Sequence, residues 1–520
     1  MAASFIPRAD VRNDIVQTWS PHLHDAAHDH QHNGDTNGAN GCGFEAPMPN
    51  TPPMTEDDER HWRNAELQSR IMRNVEELGI TRPAGHKVSF HYNSHVEDMH
   101  FGKTHPMKPW RLTLAKHLIL GFGLQYSMDT YEAVAAGKDE VEAFHDPDYV
   151  DFLSRVSPNN FRELSEIAHF AASIPPRHDG DNCPVFDGMS TYLFLYTGAT
   201  LEATSALTSG QSDVAINWSG GLHHAHKGEA SGFCYINDIV LSILDMLRVY
   251  PRVLYIDIDV HHGDGVEEAF QRQPRVMTLS FHRYGPYDDT GHKFFPGTGD
   301  LDDIGLRGTP GEHFALNVPI PSGIDDRQYK YVFEETCSRV IDAFKPSAVV
   351  LQCGADSLGG DRLGQFNINI RQHGECISYI QSRRLPLLIL GGGGYTARNV
   401  ARAWCHETAL LTSNTLPEQI PLDLVPRPEA FSGNKTHGEG KMYPSFERLH
   451  KNECKDAELE FMVKKIEGDL KFVRNSPWVG MEQLPVESAM ERVMEEEDER
   501  RRNGGRRAKE RDPAGRGELR

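Results

Sequence analysis

The run Arg252 to Gly265, RVLYIDIDVHHGDG, constrains the fold of this chain more than any other stretch. An apolar segment, Val253 to Ile256, stops abruptly and is followed by Asp257, Asp259, His261, His262 and Asp264 within eight residues. Such a segment reads as a strand of a parallel sheet with both faces covered. Side chains two residues apart on a strand point the same way, so Asp257, Asp259 and His261 are expected on one face at the strand's end. Carboxylates and an imidazole crowded there repel one another or stay under-solvated unless a cation lies between them. The sequence therefore predicts a divalent-metal centre and, with it, a metal hydrolase.

The rest of the body repeats this arrangement. From roughly Gly85 to Asn414, short apolar runs alternate with helical patterns, as in a parallel sheet covered by helices on both faces. Strands are predicted over Asp213 to Trp218, Val253 to Asp259, Val276 to Phe281, Ala315 to Pro319, Ala348 to Cys353 and Pro386 to Leu390. Helices are predicted over Asp238 to Val249, Arg327 to Phe344 and Ala397 to Leu411, and no internal repeat is visible. A polar cluster comes straight after four of these strands: SGGLHHAHKGEASGFCYIND after Trp218, VHHGDG after Asp259, GADSLGGDRLG after Cys353 and GGGGYTARNVARAW after Leu390. In an open α/β sheet the carboxyl ends of the strands line a common crevice. Four loops are thus expected to converge on one site.

Asp259, His261 and Asp356 are the candidate ligands, three protein groups that leave a position for water or substrate. Two carboxylates make the site harder than a thiolate or all-histidine one, so Fe2+ or Co2+ would fit as well as Zn2+. His223 and His224, adjacent in GGLHHA, suit general acid/base work because imidazole titrates near the working pH. Each needs an orienting carboxylate on its far nitrogen; Asp257 is assigned to His223 and Asp264 to His224. Tyr395 follows Gly391 to Gly394, a run that lets the backbone turn closely and carry the phenol into the crevice. There its hydroxyl can donate to a developing oxyanion, and the run lacks the GxxxxGK[ST] lysine of a phosphate-binding loop.

The ends of the chain read differently. Residues 1–84 are read as a disordered arm, since GDTNGANGCG and APMPNTPPMTEDDER cannot bury enough apolar surface to order themselves; a short helix is expected over Asp57 to Leu78. His22, His24, His28, His30 and His32 lie in this arm, where no fixed ligand geometry is on offer. Residues 85–414 form the expected catalytic domain, 415–494 an extension with a docked helix over Asp456 to Val473, and 495–520 a charged, disordered tail. The tail's basic cluster RRRNGGRRAKER, Arg500 to Arg511, is a candidate import signal. Acidic residues outnumber basic ones by 75 to 54, which argues against the body gripping a nucleic-acid backbone and suits a basic peptide or protein substrate. The eight cysteines are scattered without a CxxC pair, as expected in a reducing compartment. With no signal-peptide pattern and no apolar run of about 18 residues, the chain is expected to be soluble and intracellular, with no membrane contact.

Seven ordered segments carry a family resemblance: HPMKP (His105 to Pro109), DNCPVFDG (Asp181 to Gly188), INWSGGLHHAHKGEASGFCYINDIVL, RVLYIDIDVHHGDGVEEAF, FFPGTGD, LQCGADSLGGDRLG and LGGGGYTARNVARAW. Over about Phe90 to Leu411 the chain resembles the class I zinc-dependent histone deacetylases, and YPSFERLH with the helix after it resembles fungal members. The resemblance implies an arginase/deacetylase-like α/β fold, three layers around a mainly parallel eight-stranded sheet. It implies hydrolysis of N6-acetyl-lysine in histone tails and other proteins to lysine and acetate, acting in transcriptional repression and chromatin regulation. By motif, the family's zinc ligands fall on Asp259, His261 and Asp356, its histidine pair on His223 and His224, and its tyrosine on Tyr395. Phe233 and Phe295, with Gly232 and Leu363, would line a narrow apolar tunnel in which a charged, unmodified lysine is disfavoured by desolvation. A structural potassium would sit near Asp257 and Ser280, and Arg111 would be buried beneath the pocket. Lys108, Arg362 and Arg398 match positions that contact an inositol polyphosphate between enzyme and corepressor. The implied partners are acetylated histone tails and corepressor subunits, without sequence-specific DNA binding, and the implied location is the nucleus, with the cytoplasm as a second.

Two departures from the family pattern bear on the rim. Asn182, preceded by Asp181, stands where the family carries an aspartate that accepts hydrogen bonds from the substrate backbone, and an amide oxygen lacks the charge assistance. The loop RYGPYDDTGHKFF, Arg283 to Phe295, is longer and is expected to reshape the tunnel mouth around Phe295. Within the same fold, an acetylpolyamine deacetylase or a binuclear manganese ureohydrolase is the alternative enzyme. A second manganese would need further acidic ligands, and the His223/His224 pair with Tyr395 fits a mononuclear amidohydrolase better. The non-enzymatic alternative is a corepressor scaffold with incidental activity, against which the full catalytic set counts.

Overall fold

The structure, a computed structural model, describes residues 56–474 except 166–169, 171–172, 175–181, 287–290, 426–427, 434–438 and 447–449. The histidine-rich segment, Asp181, the centre of the Arg283–Phe295 loop, the basic cluster and the rest of the unit 476–520 lie outside the described residues.

Eight strands form one sheet: β1 (Val88–Tyr92), β2 (Asp129–Glu132), β3 (Val214–Asn217), β4 (Val253–Asp257), β5 (Val276–Arg283), β6 (Ala315–Ile320), β7 (Ala348–Gln352) and β8 (Leu387–Leu390). Their order is β2-β1-β3-β8-β7-β4-β5-β6, and every pairing is parallel. The longer helices are α1 (Glu56–Leu78), α2 (Trp110–Phe122), α3 (Pro147–Arg155), α4 (Met189–Thr208), α5 (Asp238–Met246), α6 (Asp264–Phe270), α7 (Asp326–Phe344), α8 (Ile370–Gln381), α9 (Ala397–Leu411) and α10 (Asp456–Arg474). All residues of β3, β4, β7 and β8 are buried, as a sheet covered on both faces requires. The four strands followed by the polar clusters, β3, β8, β7 and β4, are consecutive in the sheet. Loops more than a hundred residues apart in sequence therefore open side by side.

Several boundaries differ from those the sequence predicts. β4 ends at Asp257 and not at Asp259. Beyond it the backbone is carried by side-chain caps, the Asp259 N–H donating to Asp257 Oδ1 and the His261 N–H to Asp259 Oδ1, each at 3.0 Å. Asp259 and His261 therefore reach the site through bends of the chain beyond the strand, and only Asp257 does so from the strand itself. β1, β2, α2 and α4 carried no usable signal. β2 is a polar edge strand, and α2 and α4 are apolar nearly all round, so neither shows an amphipathic stripe.

The expected arm, residues 1–84, is corrected in its described part. α1 begins at Glu56 and lays Ile71 and Val75 into the main core, with Leu67 and Leu78 packed on it. Its apolar residues form a single narrow stripe that averaged composition conceals. Gly123 caps α2 at φ 80°, and a Cβ there would lie 2.1 Å from Val75 Cγ2, so α1 seats where only glycine leaves room. Asn414 exchanges two hydrogen bonds with the backbone of Thr81, each 3.0 Å, which ties this segment to the end of α9. The folded unit thus starts before the break placed at residue 85. At the other end, α10 buries Leu459, Val463, Ile466, Leu470 and Val473 against α7 and its neighbours.

Candidate active site and metal centre

Asp259, His261 and Asp356 come together beyond the tips of β4 and β7. Their ligand atoms all lie within 4.8 Å of one another and all three are buried. His261 Nδ1 is 3.1 Å from both Asp259 Oδ1 and Asp356 Oδ2. The remaining carboxylate oxygens are held from behind: Asp259 Oδ2 accepts from Gln352 Nε2 (2.9 Å) and the Gly393 N–H (2.8 Å), and Asp356 Oδ1 from the Val260 N–H (3.0 Å). Burial and the neighbouring Asp259 push Asp356 up to about 7. Burial disfavours the imidazolium of His261, but the two carboxylates outweigh it and raise the ring to about 10. Without a cation, protons are therefore drawn between these groups; two oxygens and one nitrogen, oriented and buried, form a donor set that suits a divalent ion.

Next to this cluster, on the loop after β3, stand His223 and His224. His223 Nδ1 lies 2.7 Å from Asp257 Oδ2, and His224 Nδ1 2.7 Å from Asp264 Oδ1. The two Nε2 atoms face each other at 2.9 Å, a spacing that requires one proton between them. Burial opposes a charge on His223, but Asp257 and Asp259 overcome it and raise the ring to about 9. Burial and the charge on His223 hold His224 down at about 4. The resting pair thus holds its proton on His223, while His224 is neutral with its lone pair on Nε2. Asp264 stays ionised, at about 2, since His224 and neighbouring histidines overcome the effect of burial.

Tyr395 is delivered by the glycine turn after β8. Gly392 and Gly394 adopt φ 131° and 123°, and a Cβ on Gly393 would lie 1.9 Å from Asp356 Oδ2, so the turn passes directly behind the ligands. Arg111 lies beneath, donating to the carbonyls of Gly394 (2.5 Å) and Gly392 (2.6 Å). Asp361 fixes the exit of the turn by accepting from the backbone N–H groups of Tyr395 (2.7 Å), Thr396 (3.1 Å) and Leu363 (2.9 Å). Burial, with Asp356 and Asp259 nearby, drives the Tyr395 phenol well above its ordinary range, so it keeps its proton and remains a donor. Gln352 and Asp361 were not singled out from sequence. Both lie in LQCGADSLGGDRLG: Asp361 is an acid in its glycine-rich GGDRLG beside Arg362 and Leu363, whereas Gln352 is a neutral residue closing an apolar strand.

At the rim, Gly232 and Phe233 form a tight turn with φ 52° and 68°, bridged by Ser231 and Cys234. A bulky residue in that region is strained, and here the strain holds the Phe233 ring 5.7 Å from that of Tyr395, with Leu363 in the same cluster. Phe295 stands 40% exposed, its ring 5.0 Å from His224 and 6.0 Å from His261. Asn182 is exposed. Asp257 and Ser280 are register partners across β4 and β5, and Ser280 Oγ is 2.9 Å from His282 Nδ1. Of the three basic candidates, Lys108 donates to the carbonyls of Gly102 (2.7 Å) and Lys103 (2.9 Å), and Arg362 is exposed. Arg398 is half-buried, with Nε lacking a hydrogen-bond partner among the described residues.

The family model of the histone deacetylase domain matches residues 105–411. Histone deacetylase RPD3 of Saccharomyces cerevisiae is 50% identical over 335 residues, 64% of this chain and 74% of that protein. Histone deacetylase 1 of Homo sapiens is 47% identical over 344 residues, 66% of this chain and 68% of the relative, and that of Bos taurus matches to the same extent.

Proposed function

The chain belongs to the histone deacetylase family, and on that basis we propose that it hydrolyses N6-acetyl-lysine in histone tails and other proteins to lysine and acetate, within corepressor complexes of the nucleus. The observation that carries this reading is the meeting, in one crevice, of an Asp-His-Asp cluster, two histidines each seated on its own carboxylate, and a protonated phenol. A zinc ion held by Asp259, His261 and Asp356 would polarise the acetyl carbonyl and lower the pKa of an adjacent water. His224 then takes the water's proton on Nε2 as the His223 N–H turns from it toward the substrate, while the Nδ1–H of His224 remains on Asp264 and fixes the tautomer. Tyr395 donates its O–H to the oxyanion that develops on the carbonyl. His223, already charged, or His224 once protonated, gives the departing lysine nitrogen its proton. The Phe233, Leu363 and Phe295 side chains favour a neutral acyl-lysine stem over a charged one.

The decisive experiment is acetate release from acetyl-lysine histone peptides by metal-replete protein, with and without a hydroxamate chelator. Release that the chelator stops supports the reading; no release from any acetyl-lysine peptide refutes it.

The histidine pair predicts a pH profile. kcat/KM holds while the pair carries one proton, falls on the acid side as His224 gains a second and on the alkaline side as His223 loses its own, with ion-free limbs at about 4 and about 9. A bound cation disfavours both imidazolium forms and moves both limbs down. The alkaline limb should disappear in His223→Asn, and its persistence there would exclude His223 as its source.

Asn182 at the rim gives a further test. A carboxylate there accepts charge-assisted hydrogen bonds, so Asn182→Asp should lower KM for an acetylated histone peptide about fivefold with kcat unchanged. An unaltered KM would remove Asn182 from the substrate rim. Potassium near Asp257 and Ser280, and an inositol polyphosphate on Lys108, Arg362 and Arg398, complete the proposed ligands. Arg398 offers the better evidence of the three cations, since its Nε is buried without a partner among the described residues.

A further inference from the structure

The line of facing polar groups from the histidine pair continues past Asp264 to His226, without a direct hydrogen bond between those two. His226, two residues after His224, places Nε2 3.9 Å from Asp264 Oδ2 and Nδ1 2.6 Å from Glu268 Oε2. Asp264 and Glu268 are one turn apart on α6, so both carboxylates rise from the same face of the helix. The backbone of His226 is fixed independently of its ring, its N–H donating to the Glu229 carbonyl at 2.9 Å. The ring is 24% exposed and Glu268 59% exposed, so the groups His223, His224, Asp264, His226 and Glu268 run in order from the buried site to solvent.

Asp264 Oδ1 is fully engaged, by His224 Nδ1 at 2.7 Å and the Gly265 N–H at 2.9 Å. Among the described residues its Oδ2 lies within ion-pair distance of His226, at a separation that is electrostatic or spanned by one water. A carboxylate held firmly on one oxygen alone can rotate and loosen the ring it orients. Glu268 holds the ring by Nδ1, and Nε2 is left on the side of Asp264 Oδ2, where one water can span the gap. We propose that His226, oriented by Glu268, is a positioning residue that steadies Asp264 through Oδ2 and thereby keeps Oδ1 on His224. The proposal rests on the deacetylase reading given above for the role of His224.

The test uses the full-length, metal-replete chain and three variants, His226→Gln, His226→Lys and Glu268→Gln, with an acetyl-lysine histone peptide as substrate. His226→Gln and Glu268→Gln should lower kcat about two- to fivefold with KM unchanged, the size expected of a single, partly exposed hydrogen-bonded contact. His226→Lys, which places a donor of its own beside Asp264, should recover most of the loss. In 15N spectra of the histidine rings, the His224 resonances should move in His226→Gln and return in His226→Lys. Wild-type kcat in His226→Gln with unmoved His224 resonances, or a lysine variant as impaired as the glutamine one, would overturn the assignment. If the wild-type chain turns over no acetyl-lysine peptide, the proposed function fails, and the His224 resonances still decide whether His226 acts on that ring.

Discussion

Asp356→Asn is expected to cost the chain its ion and its turnover together. The substitution is conservative where the fold needs it, because an amide oxygen can still accept from the Val260 N–H, which Asp356 Oδ1 now does at 3.0 Å. What changes is the inner atom, where an NH2 group replaces the oxygen that lies 3.1 Å from His261 Nδ1. An N–H cannot ligate a cation, so the donor set falls from three to two. Ion content should drop from one per chain toward none, and turnover should fall about a thousandfold or more. The wild-type centre also competes with protons, since Asp356 at about 7 and His261 at about 10 must lose theirs to bind an ion. Ion affinity should therefore weaken as pH falls through neutrality, with protons released on uptake. Thermal unfolding supplies a readout that does not depend on activity. Stripping the ion from the wild-type chain should lower its Tm, whereas the same chelator should leave Asp356→Asn unmoved. A variant that retains a full complement of ion would show that Asp356 is not a ligand.

Tyr395→Phe is expected to lower kcat by about a hundred- to a thousandfold, the cost of removing one oxyanion donor, with KM and ion content close to wild type. The ring itself is not at risk, because it is positioned by its backbone: the Tyr395 N–H donates to Asp361, and Arg111 holds the carbonyls on either side of Gly393. The phenol keeps its proton far above neutral pH, so the loss should be uniform across the working range. Near-normal turnover in this variant would mean that the oxyanion is stabilised elsewhere.

What the sequence reveals about this site, and what it withholds, follows from where each signal is written. Asp259, His261 and Asp356 are legible because each follows a buried strand, where an isolated carboxylate or imidazole needs a partner. The assignments of Asp257 to His223 and Asp264 to His224 follow from a need for orienting carboxylates, which the two aspartates of RVLYIDIDVHHGDG not used as ligands can meet. The facing Nε2 atoms are not legible, because their 2.9 Å separation depends on how the loops after β3 and β4 meet. Nor is the sheet order, since no local pattern places β8 between β3 and β7. α1 is legible as a helix, predicted over Asp57 to Leu78, but not as part of the core: its composition is that of a solvated segment, and only the stripe of Leu67, Ile71, Val75 and Leu78 records that one side is covered. Gln352 lies in the segment LQCGADSLGGDRLG, but as the last residue of an apolar strand it offers no reactive group, and its 2.9 Å bond to Asp259 identifies its part in the site.

The placing of β8 has a consequence for how the protein is made. Leu387–Leu390 is the last of the described strands to leave the ribosome, yet it pairs on both sides, with β3 and with β7. Until it is synthesised, the nascent chain carries two half-sheets whose inner edges are unpaired and whose faces are apolar. Such edges invite association with other chains, and the long sequence separation between β3 and β8 makes their pairing slow. The chain should therefore depend on chaperones during translation, and a truncation before Leu387 should aggregate and not yield a smaller enzyme.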